Sequence, residues 1–143
     1  MTGRLARSFA PLSIAALGWL VVVAGCERHV VPVSGRVTLN KKPLAGAVVT
    51  FQPQLDGDKS QPPATGSVGR TDDEGRFRLR MIEPDQPGAV VGQHIVTIST
   101  ATGGSDVAPA KGQKLPKSWR DGSKQFKVPP GGTTEANFDV TIP

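Results

Sequence analysis

Cysteine, tyrosine and histidine are almost absent from this sequence. Its 143 residues include one cysteine, two histidines, five phenylalanines, two tryptophans and no tyrosine. A single cysteine excludes a disulfide bond within the chain, so the fold depends on its hydrophobic core. The scarcity of aromatic side chains leaves few of the groups that usually dominate binding hot spots. Glycine (17) and proline (13) are frequent instead, a balance that favours short strands and turns over long helices.

Long hydrophobic runs are also lacking, and the most apolar stretch lies near the N-terminus. Residues 14–24 form an apolar stretch of 11 residues that follows Arg4 and Arg7. A helix needs roughly 20 apolar residues to cross the hydrocarbon core of a bilayer. The basic start and the short apolar run are therefore typical of a signal peptide, whose helix is removed after export.

The apolar stretch ends in residues that resemble the lipobox of bacterial lipoproteins. Val23, Ala24, Gly25 and Cys26 supply an aliphatic residue and two small residues before the only cysteine. The small residues let the backbone enter a peptidase site, and the thiol is the nucleophile that takes diacylglycerol. The resemblance implies that residues 1–25 are removed and that Cys26 becomes the lipid-carrying N-terminus. An ordinary secretory signal with an incidental cysteine and an uncleaved anchor are the alternatives.

The residue after the cysteine bears on which membrane holds the lipid. In the sorting rule of some bacteria with two membranes, aspartate at this position retains a lipoprotein at the inner membrane. Glu27 stands here instead, which favours the outer membrane. One acyl chain gives only marginal binding. Stable anchoring therefore takes the two or three chains that the resemblance implies.

The balance of charge does not indicate a nucleic-acid partner. The formal net charge is +5, and loss of Arg4 and Arg7 with the signal peptide reduces it to +3 over the remaining 118 residues. So small an excess does not indicate nucleic-acid binding by itself, and no motif of a nucleic-acid-binding module accompanies it. We predict no nucleic-acid partner.

Residues 26–32 are interpreted as a lipidated tether, and residues 33–143 as one domain with a period-two pattern. Apolar and polar residues alternate in short segments bounded by turn-forming residues. Residues 52–66 and 101–123 are predicted to form two long loops. The sequence thus predicts an all-β fold, an antiparallel β-sandwich of about seven short strands of prealbumin-like or immunoglobulin-like type. The predicted strands are residues 33–39, 46–51, 67–71, 76–81, 93–100, 126–128 and 136–142.

Residues 76–81 alternate strictly between basic and apolar side chains. A turn at residues 72–75 is predicted to pair this strand with residues 67–71 in a hairpin. Its arginines then project from one face at intervals of about 6.6 Å, and a fourth approaches from the partner strand. They form either a guanidinium ladder for acidic polysaccharide, lipid headgroups or a partner's carboxylates, or a solvated face that discourages edge aggregation. These candidate polyanion-binding residues are Arg70, Arg76, Arg78 and Arg80.

Three stretches together resemble the carboxypeptidase regulatory-like domain, a transthyretin-like (prealbumin) sandwich. They read VSGRV followed by KPLAGAVVTF within residues 33–51, TDDEGRFRL at residues 71–79 and GQHIVTI at residues 92–98. Behind a lipobox, the whole is similar to small bacterial lipoproteins that are little more than this domain, over about residues 32–142. Most members of the family lack a known biochemical activity, so the resemblance implies architecture more than function.

Few residues carry a candidate chemistry. His94 lies in a predicted strand, either as a general base or metal ligand or as a partly buried replacement for the aromatic residue usual in the family. The acidic run at residues 72–74 either binds Ca²⁺ weakly or forms a solvated turn, because it lacks the spacing of a calcium loop. Transthyretin-like hydroxyisourate hydrolases end in a Tyr-Arg-Gly-Ser signature, whereas this chain ends in DVTIP. We predict no catalytic residue, no metal and no cofactor.

The sequence as a whole predicts a membrane-anchored exported lipoprotein rather than an enzyme. Its β-sandwich is expected to have a binding or structural role at the cell envelope, on the periplasmic or cell-surface side. Its expected partners are the membrane, through lipid on Cys26, and an envelope protein or acidic polysaccharide. The alternative is a small-ligand-binding or enzymatic transthyretin-like domain.

Overall fold

A computed structural model describes residues 28–54, 65–100 and 114–143. The predicted signal peptide and Cys26 lie outside the described residues, as do residues 55–64 and 101–113 of the two predicted loops. In the described ranges the chain forms strands and one short 3₁₀ helix at Lys117–Trp119. The strands are β1 (Val30–Val31), β2 (Ser34–Leu39), β3 (Lys42–Pro43), β4 (Val48–Pro53), β5 (Ser67–Arg70), β6 (Arg76–Arg78), β7 (Arg80–Met81), β8 (Ala89–Val90), β9 (Gly92–Ser99), β10 (Lys124–Val128) and β11 (Phe138–Val140).

Five antiparallel strands form the first sheet, in the order β10, β9, β4, β5 and β7. The central strand β4 pairs with β9 over six residues and with β5 over four. Both β4 and β9 follow the period of two that half-buried strands require, because successive side chains point to opposite faces. Their inward side chains are fully buried, and these are Val49, Phe51, Val96 and Ile98.

Strand β2 organises the second sheet. Its first half pairs with β6 and its second half with β3, both antiparallel, while β11 lies on its other side and runs parallel to it. Strands β1 and β8 form a separate two-residue antiparallel ladder. Residues 30–31 of the predicted tether therefore form a strand, which pairs with the connector that precedes β9.

The inner faces of the two sheets enclose one hydrophobic core. Phe51 of the first sheet lies at its centre, with its ring centroid 5.6 Å from that of Phe126 and 6.1 Å from that of Phe138. Phe77 of the second sheet stacks against Phe138 at 6.2 Å. Buried aliphatic side chains from both sheets belong to the same core. The predicted all-β sandwich is confirmed, and its described strands pair antiparallel except for β11 with β2.

The predicted hairpin of residues 67–71 and 76–81 is only partly correct. The turn is present, since the Asp72 carboxylate accepts two backbone N–H groups at 2.9 Å and Gly75 adopts a φ of +75°. Beyond the turn, however, the strand divides at Leu79. Strand β6 pairs with β2 of the second sheet, whereas β7 pairs with β5 of the first. The chain therefore changes sheets within a segment of unbroken alternation.

The C-terminal strand is shorter than predicted and runs in the opposite sense. Instead of residues 136–142, β11 covers Phe138–Val140 and pairs parallel with β2. Alternation has the same period in parallel and antiparallel pairs, so it does not reveal strand direction. Strand β10 begins at Lys124, two residues before the predicted start at residue 126.

Candidate functional site

A cavity of about 640 Å³ lies on the outer face of the second sheet. Its walls come from β2, β6, the end of β5, the turn after β5 and the segment before β11. Four of its lining residues are arginines, and they are Arg36, Arg70, Arg76 and Arg78. We call this the arginine cavity.

The register of β2 and β6 places three of these arginines together. Arg36 lies opposite Arg76, and Ser34 lies opposite Arg78. Residues directly opposite each other in an antiparallel pair share a face. Between them, Phe77 is 2% exposed and points into the core, so its neighbours on β6 must point outward.

Two glycines allow the remaining walls to approach. A Cβ atom at Gly69 of β5 would lie 2.6 Å from the carbonyl oxygen of Arg78, so the absence of a side chain lets β5 pass close to β6. This contact brings Arg70, the last residue of β5, to the cavity. At Gly35 of β2, a Cβ atom would lie 2.0 Å from the carbonyl oxygen of Ala136. Glycine at these positions is therefore required by close backbone contact.

The arginine cavity has more positive than negative charge. Arg36 and Arg76 face each other across two strands, an arrangement of like charges that destabilises a sheet. Glu74 offsets part of this repulsion. Its carboxylate lies 2.9 Å from an Nη atom of Arg76, and its backbone carbonyl oxygen accepts a hydrogen bond from Arg36 Nε at 2.8 Å. In the described part of the chain, Arg70 and Arg78 form no ion pair. These two guanidinium groups are thus available to an anion.

Arg80, the fourth of the candidate polyanion-binding residues, does not line the arginine cavity. It follows the point at which the chain changes sheets, and it pairs with Val68 of the first sheet. Its guanidinium group donates two hydrogen bonds to the Asp85 carboxylate, one of them 3.1 Å long. Hydrogen bonding to Arg80 lowers the pKa of Asp85 below its usual value. Arg80 therefore already has a partner, unlike Arg78.

Arg36 belongs to the site but was not among the predicted residues. It occupies a polar position in the alternation of β2 and is exposed. That signal identifies an outward side chain, although it does not identify the strand opposite. Only the pairing of β2 with β6 places Arg36 beside Arg76.

His94 is a buried side chain and does not reach the arginine cavity. It is 1% exposed and packs edge-on against Phe51, with ring centroids 5.7 Å apart. Its Nε2 atom lies 3.0 Å from the carbonyl oxygen of Val90, so this nitrogen carries the proton and donates. Its Nδ1 atom has no hydrogen-bond partner among the residues that the structure describes. Protonation of Nδ1 would bury a charge and an unpaired donor, and burial accordingly lowers the pKa of His94 from 6.5 to about 4.

This burial predicts an acid-sensitive fold. Because the folded pKa is below the unfolded one, the stabilisation from neutral His94 is complete above pH 6.5 and is lost as the pH falls towards 4. We expect the free energy of unfolding to fall by about 3 kcal/mol over this range from His94 alone. Urea unfolding of the His94→Phe variant at pH 7 and pH 4 should show a loss smaller by that amount. His29→Gln, at the other, exposed histidine, is the control, and an unchanged loss in His94→Phe would contradict the assignment.

Two acidic side chains of residues 72–74 bind groups of the turn itself. Asp72 accepts the backbone N–H groups of Glu74 and Arg76, and Glu74 pairs with Arg76. In the described ranges, no group of three histidine, cysteine, aspartate or glutamate side chains is placed to hold a metal ion. The same ranges contain no helix that is long and apolar enough to cross a membrane.

Comparison with known proteins finds no relative of this chain. No family model matches the chain, no curated protein matches it, and no solved structure does. The fold and the arginine cavity therefore carry the functional interpretation.

Proposed function

We propose that this protein is an exported lipoprotein, anchored in the bacterial envelope through lipid on Cys26, whose β-sandwich binds an anionic envelope component without catalysis. The observation that carries the binding role is the arginine cavity, with its four guanidinium groups and only one ion pair among them in the described residues. The basic, apolar and lipobox-like order of residues 1–26 supports the anchor. The resemblance to the carboxypeptidase regulatory-like domain supports a module of this kind.

The chemistry of the cavity suits binding rather than reaction. A guanidinium group presents several N–H donors in a plane and forms paired hydrogen bonds with carboxylate, sulfate or phosphate oxygens. It remains protonated in proteins, so it does not accept a proton as a general base. Among the described lining residues the one acidic side chain, Asp72, is already bonded to two backbone N–H groups. An anion can thus be held here, and the site supplies no group to transfer its protons.

The proposed anchor places the cavity close to a membrane. Residues 27–29 separate Cys26 from β1, and three extended residues span only about 10 Å. A bound anion is then a component of the envelope near the bilayer, on the periplasmic or cell-surface side. Lipid headgroups, acidic polysaccharide and envelope proteins carry such groups, and we propose one of the last two as the partner.

A small-ligand-binding role is the second candidate. The arginine cavity, at about 640 Å³, lies within the size range of small-molecule sites. The enzymatic version has less support. It needs a histidine exposed in a cleft among carboxylates, whereas His94 is buried beside Phe51.

Retention on an immobilised polyanion tests the binding role. The full chain, solubilised in a non-ionic detergent, is applied to dextran sulfate and eluted with salt. Changing Arg70 and Arg78 to glutamine should weaken retention about tenfold, since two exposed ionic contacts of about 0.5–1 kcal/mol each are lost. Arg80→Gln is the matched control, because Arg80 lies on the same alternating segment but is paired with Asp85.

The losses of retention in these variants are compared to decide whether the cavity binds the polyanion. A loss of about threefold in Arg80→Gln, half of the double variant's loss in free energy, would mean that binding follows overall charge rather than the cavity. Unchanged retention in the double variant would contradict the proposed site.

A further inference from the structure

A second cavity, of about 650 Å³, adjoins the arginine cavity. The two share the side chains of Ser34, Arg78 and Thr134 on their walls. Arg78 therefore lies on the wall of both cavities, which we treat as two lobes of one groove. A ligand that contacts Arg78 can extend into both.

The second lobe differs chemically from the first. Its walls include the rings of Pro32 and Pro87 and the backbone of Gly131 and Gly132, with Leu79 at its base. Apart from Arg78 at the junction, none of its described lining residues is basic. A ligand charged along its whole length would therefore leave part of its charge unpaired here, whereas an apolar group would be desolvated favourably.

Glu135 makes the second lobe still less favourable for an anionic group. It lines the second lobe, is exposed and has no ion pair in the described residues. A second anionic group placed in this lobe would meet a like charge. The groove thus favours a ligand with negative charge at one end and an uncharged, apolar part at the other.

Sugar rings fit this pattern less well than a peptide does. Ring faces of sugars usually stack on exposed aromatic side chains, and the only aromatic residue that lines either lobe, among the described residues, is Phe77, which is 2% exposed. Arginine pairs with carboxylate in a planar, two-bond geometry that acidic side chains provide. Leucine and proline side chains are of a size and polarity that suit the second lobe.

We propose that the groove binds a segment of a partner protein in which acidic residues adjoin apolar ones. The carboxylates occupy the arginine cavity, with Arg70 and Arg78 as their principal contacts, and the apolar side chains occupy the lobe beside Gly131. This inference rests on the proposed binding function and adds the class of partner to it. It requires no change in the backbone, because both lobes are open in the structure.

Fluorescent peptides test the proposal against the full chain in detergent. The probe joins four glutamates to four leucine and proline residues and is made in both orders. We expect the better of the two orders to bind about tenfold more tightly than tetraglutamate joined to glycine and serine, since burial of one leucine-sized side chain is worth about that factor. Oligogalacturonate of the same charge should compete no better than the glutamate peptide without apolar residues.

Two variants separate the lobes. A Cβ atom at Gly131 would have no neighbour within 4 Å, and the backbone there does not have a positive φ, so Gly131→Gln adds a long side chain at the wall of the second lobe without strain. It should remove the tenfold advantage of the apolar segment and leave retention on dextran sulfate unchanged. Arg70→Gln should weaken the binding of both peptides by about threefold, as expected for one exposed ionic contact.

The results distinguish this inference from the function on which it rests. Equal binding of the two kinds of peptide, or an undiminished advantage in Gly131→Gln, would overturn the peptide proposal while the polyanion test stands on its own. Stronger competition by oligogalacturonate than by the acidic and apolar peptide would assign the groove to polysaccharide instead. Loss of dextran sulfate retention in Gly131→Gln would show that the two lobes do not act separately.

Discussion

Changing Cys26 to serine should abolish incorporation of fatty acid into the protein. A serine hydroxyl is a far weaker nucleophile than a thiol and does not replace it in the transfer of diacylglycerol. Cells that express the full chain are grown with a labelled palmitate, and the label on the protein is measured after separation in a denaturing gel. We expect the variant to lose at least nine-tenths of the label. Because each buried methylene contributes about 0.8 kcal/mol, loss of the acyl chains also removes the stable anchor.

The control keeps the pattern of small residues and the thiol. Gly25→Ala retains a small side chain before Cys26 and should be labelled and cleaved as the natural chain is. Mass spectrometry of the natural protein should find Cys26 as the modified N-terminus. Label that persists in Cys26→Ser would contradict lipid attachment at Cys26. A natural protein that keeps residues 1–25 would contradict the proposed lipoprotein and favour an uncleaved anchor.

Replacing Phe51 with alanine should destabilise the domain by about 4 kcal/mol. Its side chain is fully buried, and its ring contacts those of His94, Phe126 and Phe138 at centroid distances of 5.6–6.1 Å. Truncation removes the transfer free energy of the ring and leaves a cavity between the sheets, which costs 3–5 kcal/mol in typical cores. Since small domains have only about 5–15 kcal/mol of stability, this change removes a large part of it.

Chemical denaturation at pH 7 measures the effect. Ile82→Ala is the matched control, because Ile82 is 61% exposed and its truncation should change the free energy of unfolding by less than about 0.5 kcal/mol. Phe51→Leu should fall between the two, since it keeps part of the apolar volume. A loss below 1 kcal/mol in Phe51→Ala would mean that Phe51 is not at the centre of the core.

The arginine cavity shows how far a local pattern predicts a site. Alternation correctly assigns the arginines of residues 76–81 to the outward face, because the pleat of a strand fixes side-chain direction. It does not specify which strand lies alongside. The crossing from the second sheet to the first at Leu79 separates Arg80 from Arg78, and the pairing with β2 adds Arg36.

His94 illustrates the same limit in the core. Its parity with Val96 and Ile98 places it on the inner face, so burial is expected from the sequence. Its depressed pKa, however, depends on burial, and the neighbours that bury it include Phe51 against its ring and Val90 at its Nε2 atom. These neighbours come from the connector before β9 and from the adjacent strand β4, and neither proximity is encoded in the local alternation.

Local sequence is enough to predict the all-β class, the inward and outward faces of most strands and the turn at residues 72–75, because period, turn chemistry and glycine conformation act over a few neighbouring residues. Long-range packing sets the rest: β11 runs parallel to β2, residues 76–81 divide between two sheets, and four arginines line one cavity. These features depend on which segments pair across long separations in the chain. That choice minimises the exposed apolar area of the whole domain rather than of any single strand.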